Sequence, residues 1–218
     1  MPRIITTVLL GALSAPWLAC AGPVTFNFTG TVSQVPIDDF ATGIQFGDAI
    51  TGSFTFDSTS VDAIAASMAG SYTSTGPTFG ITAAIGPSAL PFLAPGAMNI
   101  GIMNTFVDQY TGHASSATLV LDLFFQDSSG AVFSSDGLPL SPPPLAGFAQ
   151  REFHLDQTDG AGDETQVDGA ITSLTCGSGC AATTVPEPST AWFLLAGTIL
   201  PGYRRFANRR KSNHSRQQ

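Results

Sequence analysis

Val24-Thr25-Phe26-Asn27-Phe28-Thr29-Gly30-Thr31-Val32 is the stretch that decides the fold. Apolar residues and one glycine hold every second position, with threonine and asparagine between them. Successive side chains of an extended strand point to opposite faces, so this spacing buries one face and wets the other. Ile50, Gly52, Phe54 and Phe56 repeat the pattern against Thr51, Ser53 and Thr55. Phe79, Ile81, Ala83 and Ile85 form a third segment, and Met98, Ile100 and Ile102 a fourth. The strongest is Leu119, Leu121, Leu123 and Phe125, with Asp122 on its polar face. Phe153 with Leu155, then Val167 with Gly169 and Ile171, extend the series. Between these segments lie turn formers: Asp38-Asp39, Phe46-Gly47-Asp48, Gly76-Pro77, Gly86-Pro87, Asp127-Ser128-Ser129-Gly130 and Asp159-Gly160. Only residues 61–68 lean toward a helix, of one or two turns. Short strands without interleaved helices predict an all-β fold, an antiparallel β-sandwich or jelly roll.

The two ends of the chain read as addresses. Arg3 supplies a positive start, residues 4–13 are an apolar run, and Ala19-Cys20-Ala21 gives a small-x-small cleavage pattern before Gly22. Residues 1–21 therefore read as a signal peptide, with the exported chain starting at Gly22. The alternative is acylation at Cys20, but Trp17 stands where a lipoprotein signal has leucine. At the other end come Val185, Pro186, Glu187 and Pro188, then an uncharged run over 189–203. Arg204, Arg205, Arg209, Arg210 and Lys211 follow it. The two prolines fix an open, extended peptide around Glu187 that an enzyme can grip. By the positive-inside rule the basic residues stay cytoplasmic, so 189–206 is expected to be a short C-terminal transmembrane helix and 207–218 its basic tail. Pro201 would kink such a helix near its cytoplasmic end.

This order of motif, apolar run and basic cluster resembles the PEP-CTERM sorting signal of exported Gram-negative proteins. The resemblance implies an exosortase-type membrane transpeptidase as partner, acting near the Pro-Glu-Pro. It also implies residence at the inner membrane before processing, and an exopolysaccharide-rich, biofilm-forming context. An ordinary tail anchor is the competing reading. Residues 26–35, the run from Gly47 through Phe54-Thr55-Phe56-Asp57, Phe133-Ser134-Ser135-Asp136-Gly137-Leu138-Pro139, and Val167-Asp168-Gly169-Ala170-Ile171 also resemble a recurrent domain of such proteins. That likeness implies a β-rich fold and export, and it brings no catalytic residues.

Removing both addresses leaves residues 22–184, with 22–174 as one ectodomain and 175–188 as a linker. This stretch carries fifteen carboxylates against the single base Arg151, a formal charge of −14. The whole-chain value of −8 conceals this because most basic residues lie at or beyond Arg204. Such a surface repels nucleic acid and acidic polysaccharide and attracts cations, which excludes a nucleic-acid partner.

Residues that carry chemistry are sparse. A serine hydrolase needs a histidine-activated nucleophile, yet the body holds only His113 and His154 and no Gly-x-Ser-x-Gly elbow. His154, beside Phe153, reads as a structural histidine on a strand, and His113 reads as a loop residue. A glycosidase needs two carboxylates across a cleft, and fifteen acids nominate no particular pair. Cys176 and Cys180, separated by Gly177-Ser178-Gly179, are expected to form a structural disulfide in an oxidising compartment. Zinc would lack ligands there, and no βαβ pattern supports a redox pair. Asp156, Asp159, Asp163 and Glu164, strung over a Gly-rich turn, are the calcium candidates, although the EF-hand spacing is not met. The bland alternative is a solvated acidic hairpin.

These readings converge on an exported, surface- or matrix-associated protein with a non-enzymatic structural or binding role. Extracellular polysaccharide is the candidate ligand, and no catalytic or cofactor-binding residue is nominated. The alternatives are a polysaccharide-acting enzyme on a jelly-roll scaffold and a calcium-stabilised adhesive module.

Overall fold

The structure is a computed structural model, in which residues 22–181 are described apart from 65, 87–89 and 160. Eight strands follow one another: β1 (Pro23–Asp38), β2 (Ala49–Asp57), β3 (Ala69–Ile85), β4 (Leu90–Asn104), β5 (Asp108–Ser115), β6 (Leu119–Asp127), β7 (Gln150–Thr158) and β8 (Glu164–Ser178). Each pairs antiparallel with the next, and β8 returns to pair antiparallel with β1. The sheet is therefore a closed eight-stranded up-and-down barrel, not the sandwich or jelly roll that the sequence suggested. Both architectures bury one face at period two, so alternation is blind to the difference. What decides it is the β1–β8 seam, where Phe28 faces Leu174 and Thr31 faces Ala170, with bulges shifting the register at several points.

The C-terminal membrane helix expected over 189–206 lies outside the described residues. Among the described residues no helix is long and apolar enough to cross a membrane. Residues 61–64 and 66–68 do not form the expected helical turns. Asp62 instead bridges to Tyr72, and the Ala63 N–H donates to the Ser71 carbonyl at 2.8 Å, continuing the sheet beyond the end of β2. Gly76-Pro77 is no turn either. It begins a bulge inside β3, where pairing with β4 jumps from Gly76 to Gly80.

The inner face is apolar and full. Val24, Phe26, Phe28, Ile50, Phe54, Phe56, Ile81, Ile100, Leu121, Phe125, Phe153 and Val167 are all buried inside the barrel. Phe26 meets Phe54 and Phe56 edge-on, each at 5.3 Å between ring centres. The aromatic contacts continue through Tyr110 and Phe125 to Phe148. Eight strands enclose a bore just wide enough for side chains to fill, and these rings fill it. Gly52 shows how tight the fit is. A Cβ there would lie 2.3 Å from the Phe28 ring and 2.4 Å from the Thr82 carbonyl.

The outer face is the polar half of the same alternation: Asn27, Thr29 and Thr31 on β1, Thr51 and Ser53 on β2, Asp122 and Gln126 on β6. A membrane-spanning barrel has the reverse arrangement, apolar outside and polar within. Here the larger apolar residues face inward.

An even number of strands brings the start of β1 and the end of β8 to one end of the barrel. The Gly22 N–H donates to Ser58 Oγ at 3.0 Å, beside the β2–β3 connection. The Ala181 N–H donates to the Leu140 carbonyl at 2.9 Å. That end is closed by the long β6–β7 connection, whose Val132, Phe133, Leu138, Leu140 and Leu145 pack on the core. The buried Asp108 carboxylate fixes this cap, accepting the Val132 and Phe133 N–H groups at 2.6 and 2.8 Å.

Tyr110 is wholly buried, and its hydroxyl has no hydrogen-bond partner among the described residues. Burial also pushes its phenol pKa far above the ordinary value. A buried hydroxyl without a partner costs about 1–3 kcal/mol of desolvation. Tyr110→Phe is therefore expected to leave stability unchanged or raise it by about 1 kcal/mol, within that range, as read by urea unfolding. A clear loss of stability would show that the hydroxyl is satisfied in solution.

Candidate functional site

Because aromatic rings fill the bore, the candidate surface is the outer wall. Its most ordered feature is a row of alternating histidine and aspartate side chains across four strands. His113 on β5 stands opposite Asp122 on β6, Asp122 opposite His154 on β7, and His154 opposite Asp168 on β8. His113 Nδ1 lies 2.6 Å from Asp122 Oδ1, and His154 Nδ1 lies 2.7 Å from Asp168 Oδ1. A carboxylate accepts, so each Nδ1 carries the hydrogen in these bonds. The row continues in register to Asn99 and Thr73 on one side and to Gln34 on the other.

The sequence placed His154 on a strand, as found. It missed β5 and assigned His113 to a loop. Period two would have exposed the pairing, but the inward residues of β5 are Asp108, Tyr110, Gly112 and Ala114, which give a weak apolar signal.

Beside His154 the wall is hollowed. A groove of about 390 Å³ is lined by Ser33, Gln34, Glu152, His154, Asp168 and Gly169. A second hollow of about 460 Å³ adjoins it and includes Arg151, the body's single base. Ala170, which faces outward with only a methyl group, supplies the low floor of this second hollow. The groove brings Glu152 and Asp168 to one surface but exposes no aromatic platform, because Phe153 is turned inward and buried. Ser33 does not complete a hydrolase relay. Asp168 on β8 stands between His154 on β7 and the β1 serine, so the hydroxyl lies across the carboxylate from the imidazole.

His113 and His154 sit two strands apart, about 10 Å, too far to share one ion. Among the described residues no group of three or more His, Cys, Asp or Glu is placed to hold a metal. The calcium candidates separate for visible reasons. Asp156 is a β7 strand residue, opposite Val120 and Gln166. Asp159 Oδ1 accepts the N–H groups of Ala161, Gly162 and Asp163 at 2.7, 3.2 and 3.3 Å, so it organises its own turn. Glu164 accepts from the Gln166 side chain, and its N–H donates to Asp39 Oδ2. Asp163 remains at the turn.

The same use of carboxylates recurs around the rims. Asp38 has its pKa held below the ordinary value: burial raises it, but donation from the Thr42 N–H and hydroxyl, Gly43 and Thr165 outweighs that. Asp57 is lowered by the Thr59 N–H and hydroxyl, and Asp127 chiefly by Ser129. These acids close turns, and their charge belongs to the fold.

Cys176 and Cys180 form the expected disulfide, with Cα atoms 6.1 Å apart. Cys176 lies in β8 opposite Phe26 of β1, so the bridge sits on the closing seam. Val185, Pro186, Glu187 and Pro188 lie outside the described residues, as do Ala19 and Ala21. Gly22 is the first described residue.

No protein family matches this chain. No curated protein matches it, and no solved structure does.

The lowered pKa values of Asp38, Asp57 and Asp127 fix the sign of an acid effect. A carboxyl with a depressed folded pKa stabilises fully above its unfolded value of about 3.9, and that contribution is lost as pH falls through the lower folded pKa. Urea unfolding at pH 7 and at pH 2.5 should therefore show weaker stability in acid. Replacing all three with Asn should lower the pH 7 midpoint and shrink the difference between the two pH values. An unchanged difference would remove these turns from the account.

Proposed function

We propose that this is an exported protein, delivered to the cell surface or extracellular matrix through a PEP-CTERM-type signal, whose barrel is a non-enzymatic structural or binding module. One observation carries the reading. The strands that close the barrel run from Pro23 to Ser178, after the signal-peptidase pattern and before Val185. All eight strands thus fall between the two addresses. The disulfide suits an oxidising compartment. The polar outer wall and the charge of −14 suit a solvated module outside the membrane.

In this reading the precursor is held at the inner membrane, an exosortase-type transpeptidase acts at the Pro-Glu-Pro, and extracellular polysaccharide is the candidate ligand. A filled bore directs any ligand to the outer wall, and the Gln34–Glu152–Asp168 groove offers hydroxyl-matching polar groups there. A neutral or basic polysaccharide fits its charge better than an acidic one.

The second reading, an enzyme acting on polysaccharide, draws on Glu152 and Asp168 sharing that groove. It predicts cleavage of a defined polysaccharide that Glu152→Gln or Asp168→Asn abolishes.

Intact-mass measurement of the released protein tests the primary reading. The mass should correspond to a chain that starts at Gly22 and lacks Arg209 and Arg210. Recovery of an acylated Cys20, or of those arginines in the released form, would overturn it.

A further inference from the structure

The barrel has a polar wall but one apolar rim. Among the described residues the exposed large apolar side chains are Phe46, Val61, Ile64, Met68, Leu93, Met103 and Phe106. Five of these, Val61, Ile64, Met68, Met103 and Phe106, belong to one end. Val61, Ile64 and Met68 lie on the β2–β3 connection, Met103 is the last residue but one of β4, and Phe106 lies in the β4–β5 turn. The Asn104 N–H donates to the Met68 carbonyl at 2.9 Å, and Ala69 pairs with Met103, so the two connections are neighbours. Val61 and Phe106 are 84% and 85% exposed, far more than water-facing packing requires. A hollow of about 260 Å³ between Ile64 and Met103, floored by Gly70 and Gly101, adjoins them. Clustered exposure of this kind marks an interaction surface, whereas single apolar residues on a wall do not.

The rim is on the same end as Gly22 and Ala181, the first and last described residues. Ala181 is fixed there by the Leu140 carbonyl, and Gly22 by Ser58. Seven residues, 182–188, separate Ala181 from the apolar run that begins at Ser189. Fully extended, seven residues span at most about 25 Å. An uncharged run held in a bilayer would therefore keep Ala181 within about 25 Å of the lipid surface.

We infer that the Val61–Met68–Phe106 rim is a foot that seats the barrel on the interface of a lipid bilayer. This rests on the membrane-held precursor proposed above. The foot contains no basic residue and one carboxylate, Asp62, whose Oδ1 accepts the Ile64 and Ser71 N–H groups at 2.9 Å, so its attraction is apolar and the lipid surface it fits is zwitterionic rather than anionic. Methionine and phenylalanine at the tips of two adjacent connections enter the headgroup boundary without the strands having to leave water.

The test uses the full chain carrying Cys20→Ser, with an environment-sensitive fluorophore on Phe106→Cys, on Val61→Cys, or on Phe46→Cys at the opposite rim. Phe46 is 81% exposed, so all three positions are open and none contributes to the core. The proteins are reconstituted with phosphatidylcholine vesicles and separated by flotation. The expected result is co-flotation, with blue-shifted emission from labels at 106 and 61 and water-like emission at 46. Co-flotation with water-like emission at all three positions would overturn the foot while leaving the anchored precursor intact. Failure to float would overturn both. A blue shift at 106 that is already complete without lipid, together with a doubled mass, would assign the rim to a second copy and overturn the bilayer contact.

Discussion

Closure of β8 onto β1 is the constraint on which everything else depends. Eight strands that close on themselves have no free edge, so no backbone row is left to recruit another chain. The same closure fixes the diameter of the bore, and the bore must then be filled by the chain's own side chains. Phe26, Phe54, Phe56, Tyr110 and Phe125 do this as one connected set of rings. Glycine at position 52 is the complement of that filling, because Phe28 lies over it. A barrel of the same strand number with smaller inward residues would have room for a ligand. This one has spent its interior on stability, and any recognition is displaced to the wall, the groove or the rims.

The strands with large inward residues were legible in the sequence. Phe26, Phe28, Phe54, Phe56, Leu121 and Leu123 announce their faces by alternation alone, and each is buried. The first half of β3 and all of β5 were not legible. Their inward positions include Gly70, Ser74, Gly112 and Ala114, small residues that sit opposite large ones from neighbouring strands. Period two survives there as geometry but vanishes as hydropathy. Pro91 and Pro95 hid the first half of β4 in the same way, since proline argues against a strand unless it stands at an edge or bulge. The choice between sandwich and barrel was beyond any local signal. It turns on β1 meeting β8, a contact between residues more than 130 positions apart, such as Thr31 and Ala170.

The site followed a similar rule. His113, Asp122, His154 and Asp168 are scattered through the sequence, and only the register of four strands makes them a row. Of the four acidic residues that the sequence nominated as a ligand set, Asp159 gives Oδ1 to nearby N–H groups and Asp156 lies within β7, while Asp38, outside that set, closes a turn in the same way as Asp159. Spacing shows which side chains are near along the chain. It does not show which have already been claimed by the backbone, and in a loop-rich, acid-rich protein that second question decides most of the carboxylates.

The disulfide gains its meaning from where it lies on the seam. A ring closed over so few residues removes little entropy from the unfolded chain, so its contribution to equilibrium stability is small, below the ~3 kcal/mol of a 15-residue loop. Its effect is local. The last residues of β8 pair with the first of β1, Cys176 against Phe26 and Ser178 against Thr25. Gly179, in a left-handed conformation, turns the chain so closely past Pro23 that a Cβ there would lie 2.2 Å from the Pro23 carbonyl. Cys180 packs partly on the core, and Ala181 bonds to the cap. The chain thus leaves the barrel at the one place where peeling a strand would reopen the closure. Joining Cys176 to Cys180 makes the departing segment and the end of β8 a single covalent unit. A displacement of the exit must then move the strand, its partner β1 and the capping connection together, which is a far stiffer response than fraying one terminal residue at a time.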